Sequence, residues 1–430
     1  MDHLLFALAI FNFISTIMVF APRAIPHTLI PILTFLFALP ATELAWLWLP
    51  LQMSIASGLA LGGALESTLG QVAIVILLVT WPSLLCNIIY SFRTEKEVKK
   101  VLRQELGDDY LESLPDSRRE KINARVNASD WLRPLKMSQD DVEVIKHVSY
   151  GEHGDRNTLD IYRPRDIPEQ GCPVVLQLPG GGWVTGTKDV QALPLMYQMA
   201  QKGWICVAAN YRLSPKFSFP AHLEDCKAAL AWIRTNGHEY GMDSRFVAVT
   251  GGSAGGHLTA LMGLTPNRPE LQPGFEDVDT SVQACVPLYG VYDFKPGAGH
   301  LISSEAGTKF LEKHVMHVSR EESPELWSLA SPVDQVHPLA PPFMIVHGSF
   351  DSLVPVGEGR DLNRELRRVS KSPVLYLELE GAEHAFEMVH SPRTEYTING
   401  IHCFLEWTLA RFNECESELE LSGQLEEAVI

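Results

Sequence analysis

Cysteine is scarce and scattered in this chain: seven residues among 430, an odd number, with no C-x-x-C pair. That spacing excludes a disulfide framework and a thiolate zinc site. There is no G-x-x-x-x-G-K-[ST] phosphate loop and no internal repeat. P-loop nucleotide chemistry and a solenoid are thereby excluded. Positive charge is short as well. The formal net charge is −17, and beyond Phe92 only 34 Lys and Arg stand against 49 Asp and Glu. A surface of that sign repels a phosphate backbone, so nucleic acid is excluded as a partner. The sharpest shortage is local. From Leu4 to Phe92 the Lys, Arg, Asp and Glu residues are Arg23, Glu43 and Glu66 alone.

About 20 apolar residues cross the hydrocarbon core as a helix. Leu4–Ala21, Leu29–Leu51 and Gln71–Tyr90 meet that length, predicting a transmembrane anchor of about three helices over residues 1–92. Met1-Asp2-His3 lacks the positive start of a cleaved leader, and no small-x-small site follows. With three spans, Arg23 falls on the same side as Arg93, Lys96, Lys99, Lys100 and Arg103. The positive-inside rule makes that side cytoplasmic. The expectation is an integral membrane protein with membrane lipids around its N-terminal region and its folded domain in the cytoplasm.

Residues 93–140 read as a linker and candidate cap segment, with Glu95–Gln104 a charged helix along the membrane surface. From Val142, apolar strand-like runs at Val174, Ile205, Phe246, Val282, Phe343 and Val374 alternate with helical patterns at Leu223–Arg234, Ser253–Leu264, Glu358–Val369 and Thr397–Phe412. That alternation predicts an α/β domain over 141–412, a mostly parallel sheet with helices on both faces. His300–Trp327 interrupts it and is a second cap candidate. Residues 413–430 form an acidic tail with Glu414, Glu416, Glu418, Glu420, Glu426 and Glu427, read as solvated and poorly ordered.

The chemistry concentrates in Gly251-Gly252-Ser253-Ala254-Gly255-Gly256. A strand run, Phe246–Val249, precedes it and a helical run from His257 follows. Strand, tight turn, serine and helix is the context of a nucleophile elbow. A serine needs a base, and the base an orienting acid; on such an elbow both follow the serine in chain order. Asp351 follows the strand Phe343–His347, and His384 follows the strand Val374–Leu379. Asp293 competes for the acid role and is assigned a structural or pocket part. Glu383 is expected to point away from its neighbour His384, and His347 reads as a core histidine. The glycines after the strand Val174–Leu178 suit an oxyanion hole formed by the N–H groups of Gly181 and Gly182 with that of Ala254. No step calls for a metal or cofactor.

Several segments in order resemble the hormone-sensitive-lipase-like carboxylesterases of the α/β-hydrolase fold, and in particular their membrane-associated, mycobacterial-type subgroup. They are Pro179–Trp183, Asn210–Pro215, Phe219–Asp225, Ser253–Gly256, Asp351 and His384–Phe386, within about residues 145–410. The chain departs from the family at Pro179, usually histidine, at Gly252, usually acidic, and at Lys216, usually glutamate. The resemblance implies a serine hydrolase cleaving carboxylic esters through a Ser253–His384–Asp351 triad and an acyl-enzyme. Trp183, Tyr211, Tyr292 and Phe386 are expected to form an apolar pocket mouth suited to a small acyl or aryl ester, or a lipid ester. Two other readings stay open: an amide hydrolase of the arylformamidase or deacetylase type, and a catalytically silent binding protein.

Overall fold

The computed structural model describes residues 1–20, 30–123, 128–295 and 305–421. Arg23, the start of the second cap candidate with His300, and Glu426 and Glu427 of the tail lie outside the described residues.

Four apolar helices open the chain: α1 (Asp2–Phe20), α2 (Ile30–Glu43), α3 (Ala45–Leu61) and α4 (Thr68–Leu106). Two of them, α1 and α4, are long and apolar enough to cross a membrane, and the pair α2–α3 counts as up to one more. The expected continuous helix over Leu29–Leu51 is instead broken, with an 85° bend between α2 and α3. Pro40 and Pro50 lie on either side of the break, and Glu43, the last residue of α2, pairs with Arg393 of the folded domain. Polar side chains knit the bundle. Asn12 donates to Thr80 Oγ1 at 2.6 Å, Gln52 donates to Asn12 Oδ1 at 3.2 Å, and Trp81 donates to Gln52 Oε1 at 3.0 Å. In an apolar surrounding such bonds select one helix register.

The charged stretch Glu95–Gln104 is a continuation of α4 and not a separate surface helix. Its Val98 and Leu102, one turn apart, are buried in the core of the folded domain. At 39 residues α4 is about 58 Å long, well beyond the thickness of a bilayer core. One helix therefore joins the apolar bundle to the domain behind it. The next helix, α5 (Asp116–Asn123), also packs on that domain, through Arg118 to Glu406 at 2.8 Å.

The domain is built on eight strands: β1 (Val142–Ser149), β2 (Thr158–Pro164), β3 (Cys172–Leu178), β4 (Ile205–Ala209), β5 (Met242–Gly252), β6 (Ala284–Leu288), β7 (Phe343–Gly348) and β8 (Val374–Leu379). They lie in the order β1-β2-β4-β3-β5-β6-β7-β8. Pairing is antiparallel from β1 to β4 and parallel from β4 to β8. β3 is apolar almost throughout because both faces are covered, as in parallel sheets generally. The helices that cover it are α6 (Leu193–Gln201), α7 (Ala221–Asn236), α8 (Ala254–Leu264), α9 (Gly357–Val369) and α10 (Pro392–Leu421). Val174, Leu176, Val247 and Val249 face one core, closed by Leu230 of α7, Leu261 of α8 and Leu366 of α9. Val175, Phe246 and Ala248 face the other, closed by Met199 of α6, Phe404 of α10 and Leu102 of α4. Residues 413–421, expected to be solvated tail, continue α10, and Glu416 reaches Arg245 at 3.0 Å.

Bundle and domain meet at a fully buried ion pair, Arg393 with Glu43. Ser391 donates to the second oxygen of Glu43 at 3.0 Å, and the Arg393 N–H donates to Ser91 Oγ of α4 at 3.0 Å. Removing one partner of a buried pair leaves a charge with no answer, at a cost of about 3–5 kcal/mol. We therefore expect Arg393→Met to lower the unfolding midpoint of the detergent-solubilised protein clearly, and Glu43→Gln added to it to restore most of the loss. Equal midpoints for Arg393→Met and the parent would show that the pair does not hold the two parts together.

Candidate active site

The turn between β5 and α8 places Ser253 at φ 59°, ψ −121°, a conformation that L residues rarely adopt. It persists because its surroundings leave no alternative. The Ser253 N–H donates to Leu288 O of β6, and Ser253 O accepts from the His257 N–H, both at 3.0 Å. The end of β3 crowds the turn from the other side. A Cβ at Gly251 would lie 2.5 Å from Leu178 O, and one at Gly255 would lie 2.9 Å from Pro179 O. Only glycine permits that approach. This is the geometry of a nucleophile elbow, with the serine lifted above the carboxyl ends of the strands.

His384 and Asp351 sit on the loops after β8 and β7. His384 Nδ1 lies 2.7 Å from Asp351 Oδ2, and both side chains are buried. Asp351 Oδ1 accepts the N–H groups of Leu353 and Val354 at 2.9 and 2.7 Å. Burial works against the Asp351 carboxylate, but the charge of His384 and hydrogen bonds from His347 and His384 outweigh it, so its pKa lies below the ordinary value. Burial likewise opposes the His384 imidazolium, and the Asp351 carboxylate overrides it, raising that pKa. Asp293 has no part in this pairing; its Oδ1 accepts the Lys295 N–H at 2.9 Å. His347 is buried, 2.8 Å from Val354 O and 3.4 Å from Asp351. Glu383 turns from the imidazole and accepts the N–H groups of Ser352 and His384 at 2.6 and 2.9 Å. No hydrogen bond joins Ser253 Oγ to His384 among the described residues. Such contacts commonly close only around a substrate.

Tyr289 connects the two halves of the site and was not singled out from the sequence. Its ring meets the His384 imidazole edge-on, centroids 4.5 Å apart. It also fills the space beside Gly252, where a Cβ would lie 2.6 Å from Tyr289 Cζ. Its hydroxyl donates to Glu387, a carboxyl whose pKa burial pushes up. An acidic side chain at position 252 would collide with this ring. The departure at Gly252 thus has a steric partner, and Glu387 supplies a carboxyl from another loop.

The loop after β3 gives Gly181 a φ of 124° and Gly182 a φ of 60°. Among the described residues, the N–H groups of Gly181, Gly182 and Ala254 find no acceptor. Uncommitted backbone donors beside a serine suit an oxyanion. The neighbours of this loop, expected at a pocket mouth, are buried supports. Tyr211 donates to Pro179 O at 2.7 Å. Trp183 donates to His257 Nδ1 at 3.2 Å, and His257 Nε2 meets Ala330 O at 2.7 Å. Burial holds His257 neutral by pushing its pKa down to about 4. The Tyr292 hydroxyl accepts the Gly290 N–H at 3.0 Å, and Phe386 packs edge-on against Tyr289. All four are at most 2% exposed.

Strand order, elbow and the loops after β7 and β8 have the arrangement of the α/β-hydrolase fold. The family model described as BD-FAE matches residues 159–366. Among curated proteins, the chain is 49% identical over 261 residues to the Probable carboxylic ester hydrolase LipM of Mycobacterium tuberculosis, covering 60% of each. It is 44% identical over 259 residues to Esterase LipQ of the same organism, covering 60% of this chain and 61% of that one. The match thus spans about three fifths of the length of these relatives. Among solved structures, Esterase B from Lactobacillus rhamnosis superposes with a TM-score of 0.56 at 22% identity, over 69% of this chain and 98% of that one. That likeness concerns the fold.

The raised pKa of His384 has a direct consequence. Its neutral form, needed to take a proton, is lost as pH falls through a value above the ordinary 6.5 or so of histidine. The rate at which a fluorophosphonate labels Ser253 should therefore rise with pH along a limb centred above about 6.5. Asp351→Asn should move that limb to lower pH and slow labelling. A limb unmoved by the substitution would remove Asp351 from its role.

Proposed function

We propose that this chain is a membrane-anchored serine hydrolase that cleaves carboxylic esters. The observation that carries the reading is the buried Asp351–His384 pair on loops beside a serine held in a strained elbow. Ser253 Oγ attacks the ester carbonyl while His384 Nε2 takes its proton. Asp351 holds the imidazole through Nδ1 and stabilises its charged form. Negative charge developing on the carbonyl oxygen is met by the N–H groups of Gly181, Gly182 and Ala254. His384 returns the proton to the leaving alcohol, and water then opens the acyl-enzyme by the reverse route. The names of the relatives LipM and LipQ support esters as the substrate class. The polarised residues here need no metal or cofactor for any step.

The membrane reading rests on α1 and α4, with the bent pair α2–α3 as the third span. Arg93, Lys96, Lys99, Lys100 and Arg103 follow the last apolar stretch, which supports a catalytic domain on the cytoplasmic side.

Hydrolysis of p-nitrophenyl esters by the purified protein tests the reading. Ser253→Ala should lower kcat/KM by at least about 10⁴-fold, and anilides with the same acyl groups should react more slowly than the esters. Faster turnover of the anilides would replace the esterase by an amidase. Saturable binding by a folded protein without turnover of either would favour a binding protein.

A further inference from the structure

The two loops that carry Asp351 and His384 do not open onto water alone. They abut the apolar bundle. Phe35 of α2 meets the His384 imidazole edge-on, with centroids 6.3 Å apart and planes at 80°. Phe350, adjacent to Asp351, packs edge-on against Phe20 at the end of α1, at 5.6 Å, and against Tyr90 of α4, at 6.4 Å. Phe350 joins the bundle's own apolar cluster around Val19, Ala38 and Leu84. The base and the acid are thus both seated on residues of the N-terminal helices.

The level of this contact along the bundle is defined. Asp2 at the start of α1 meets Ser67 at the foot of α4, and the far end of α1 is Phe20. Tyr90 lies three residues before Arg93, where the apolar part of α4 ends. Phe20, Tyr90 and the acid loop therefore share the end of the bundle where apolar surface gives way to charge. There α2 runs at 85° to α3. It meets α1 through Thr34 and Met18, and α4 through Ala41 and Asn87. On the same short helix Leu33 and Leu36 are exposed. A helix with its side chains is about 10–12 Å across, so one helix diameter separates His384 from apolar surface facing outward.

We propose that α2 is the wall between the catalytic face and the bilayer, and that Phe35 selects esters whose long apolar chain enters from the lipid. This rests on the esterase reading and adds its substrate class: a membrane-dissolved long-chain ester. A chain that stays in hydrocarbon while its carbonyl reaches Ser253 avoids exposure to water, worth about 0.8 kcal/mol for each methylene. Phe35 lies where that chain passes the imidazole.

The test uses the full chain in lipid nanodiscs, with p-nitrophenyl butyrate and p-nitrophenyl dodecanoate. Phe35→Ala should lower the dodecanoate-to-butyrate ratio of kcat/KM by at least about tenfold, and Phe35→Leu should keep most of it. Independently of any variant, adding empty nanodiscs at fixed total dodecanoate should slow the unmodified protein in proportion to the diluted surface, while butyrate hydrolysis stays constant. A ratio unmoved by Phe35→Ala, or a dodecanoate rate indifferent to lipid dilution, overturns the wall and leaves the esterase standing. Inactivity of the unmodified protein on both esters overturns the esterase and the wall together.

Discussion

Arg393 stands where three parts of the molecule meet, and its burial constrains all of them. Its guanidinium pairs with Glu43 at the end of α2 and donates to Glu380 O after β8, while its N–H reaches Ser91 of α4. The next residue, Thr394, donates to Phe386 O, two residues past His384. A charge taken out of water must be answered in place, and a half-answered one is worse than none. The arrangement of α2, α4 and the histidine loop is therefore not free to vary separately. Sliding the bundle by one helical turn would strand Glu43, Ser91 and Arg393 at once. The apolar contacts of Phe350 and Phe35 then fall where they do because this polar joint fixes the level.

The legible parts of the fold were those decided locally. Strands such as Val174–Leu178 are short apolar runs bounded by turns, and a sheet buried on both faces demands that. The elbow was legible because glycine is required at two crowded positions, Gly251 and Gly255, and a requirement leaves a mark in the sequence. Asp351 and His384 were legible because each follows a strand end. Other features were settled by partners far away. In the run Leu29–Leu51, Pro40 and Pro50 mark weak points of a helix, but the partner met at the bend, Arg393, lies 350 positions from Glu43. The charged turn after Phe92 looked like surface until α10 was present to bury Val98 and Leu102.

The aromatic residues show what pattern alone does not specify. Trp183, Tyr211, Tyr292 and Phe386 lie beside the site motifs in sequence, and proximity alone does not say which way a ring points. Trp183 has φ of 61°, and its indole donates to His257 Nδ1. Tyr211 is occupied with the carbonyl of Pro179. These rings hold the loop that frees the Gly181 and Gly182 N–H groups. Tyr289, by contrast, carried no motif. Its importance comes from the emptiness of Gly252, and an absence in one segment filled by a ring from another is invisible in a single sequence.

Two carboxyl groups flank the histidine, and their surroundings drive them apart. Asp351 accepts two backbone N–H groups and faces two imidazoles, so it stays charged. Glu383 is buried, and that burial together with the charge of Asp351 raises its pKa to about 7. Two adjacent carboxylates cannot both ionise cheaply, and the one with more donors keeps the charge. The division matters for His384 in the mechanism proposed above. If Glu383 took the charge and Asp351 the proton, Nδ1 of His384 would lose the acceptor that fixes its tautomer, and Nε2 would no longer be the nitrogen free to meet Ser253. By spending its oxygen on the Ser352 and His384 N–H groups, Glu383 braces both loops while leaving Asp351 as the carboxylate that the imidazole sees.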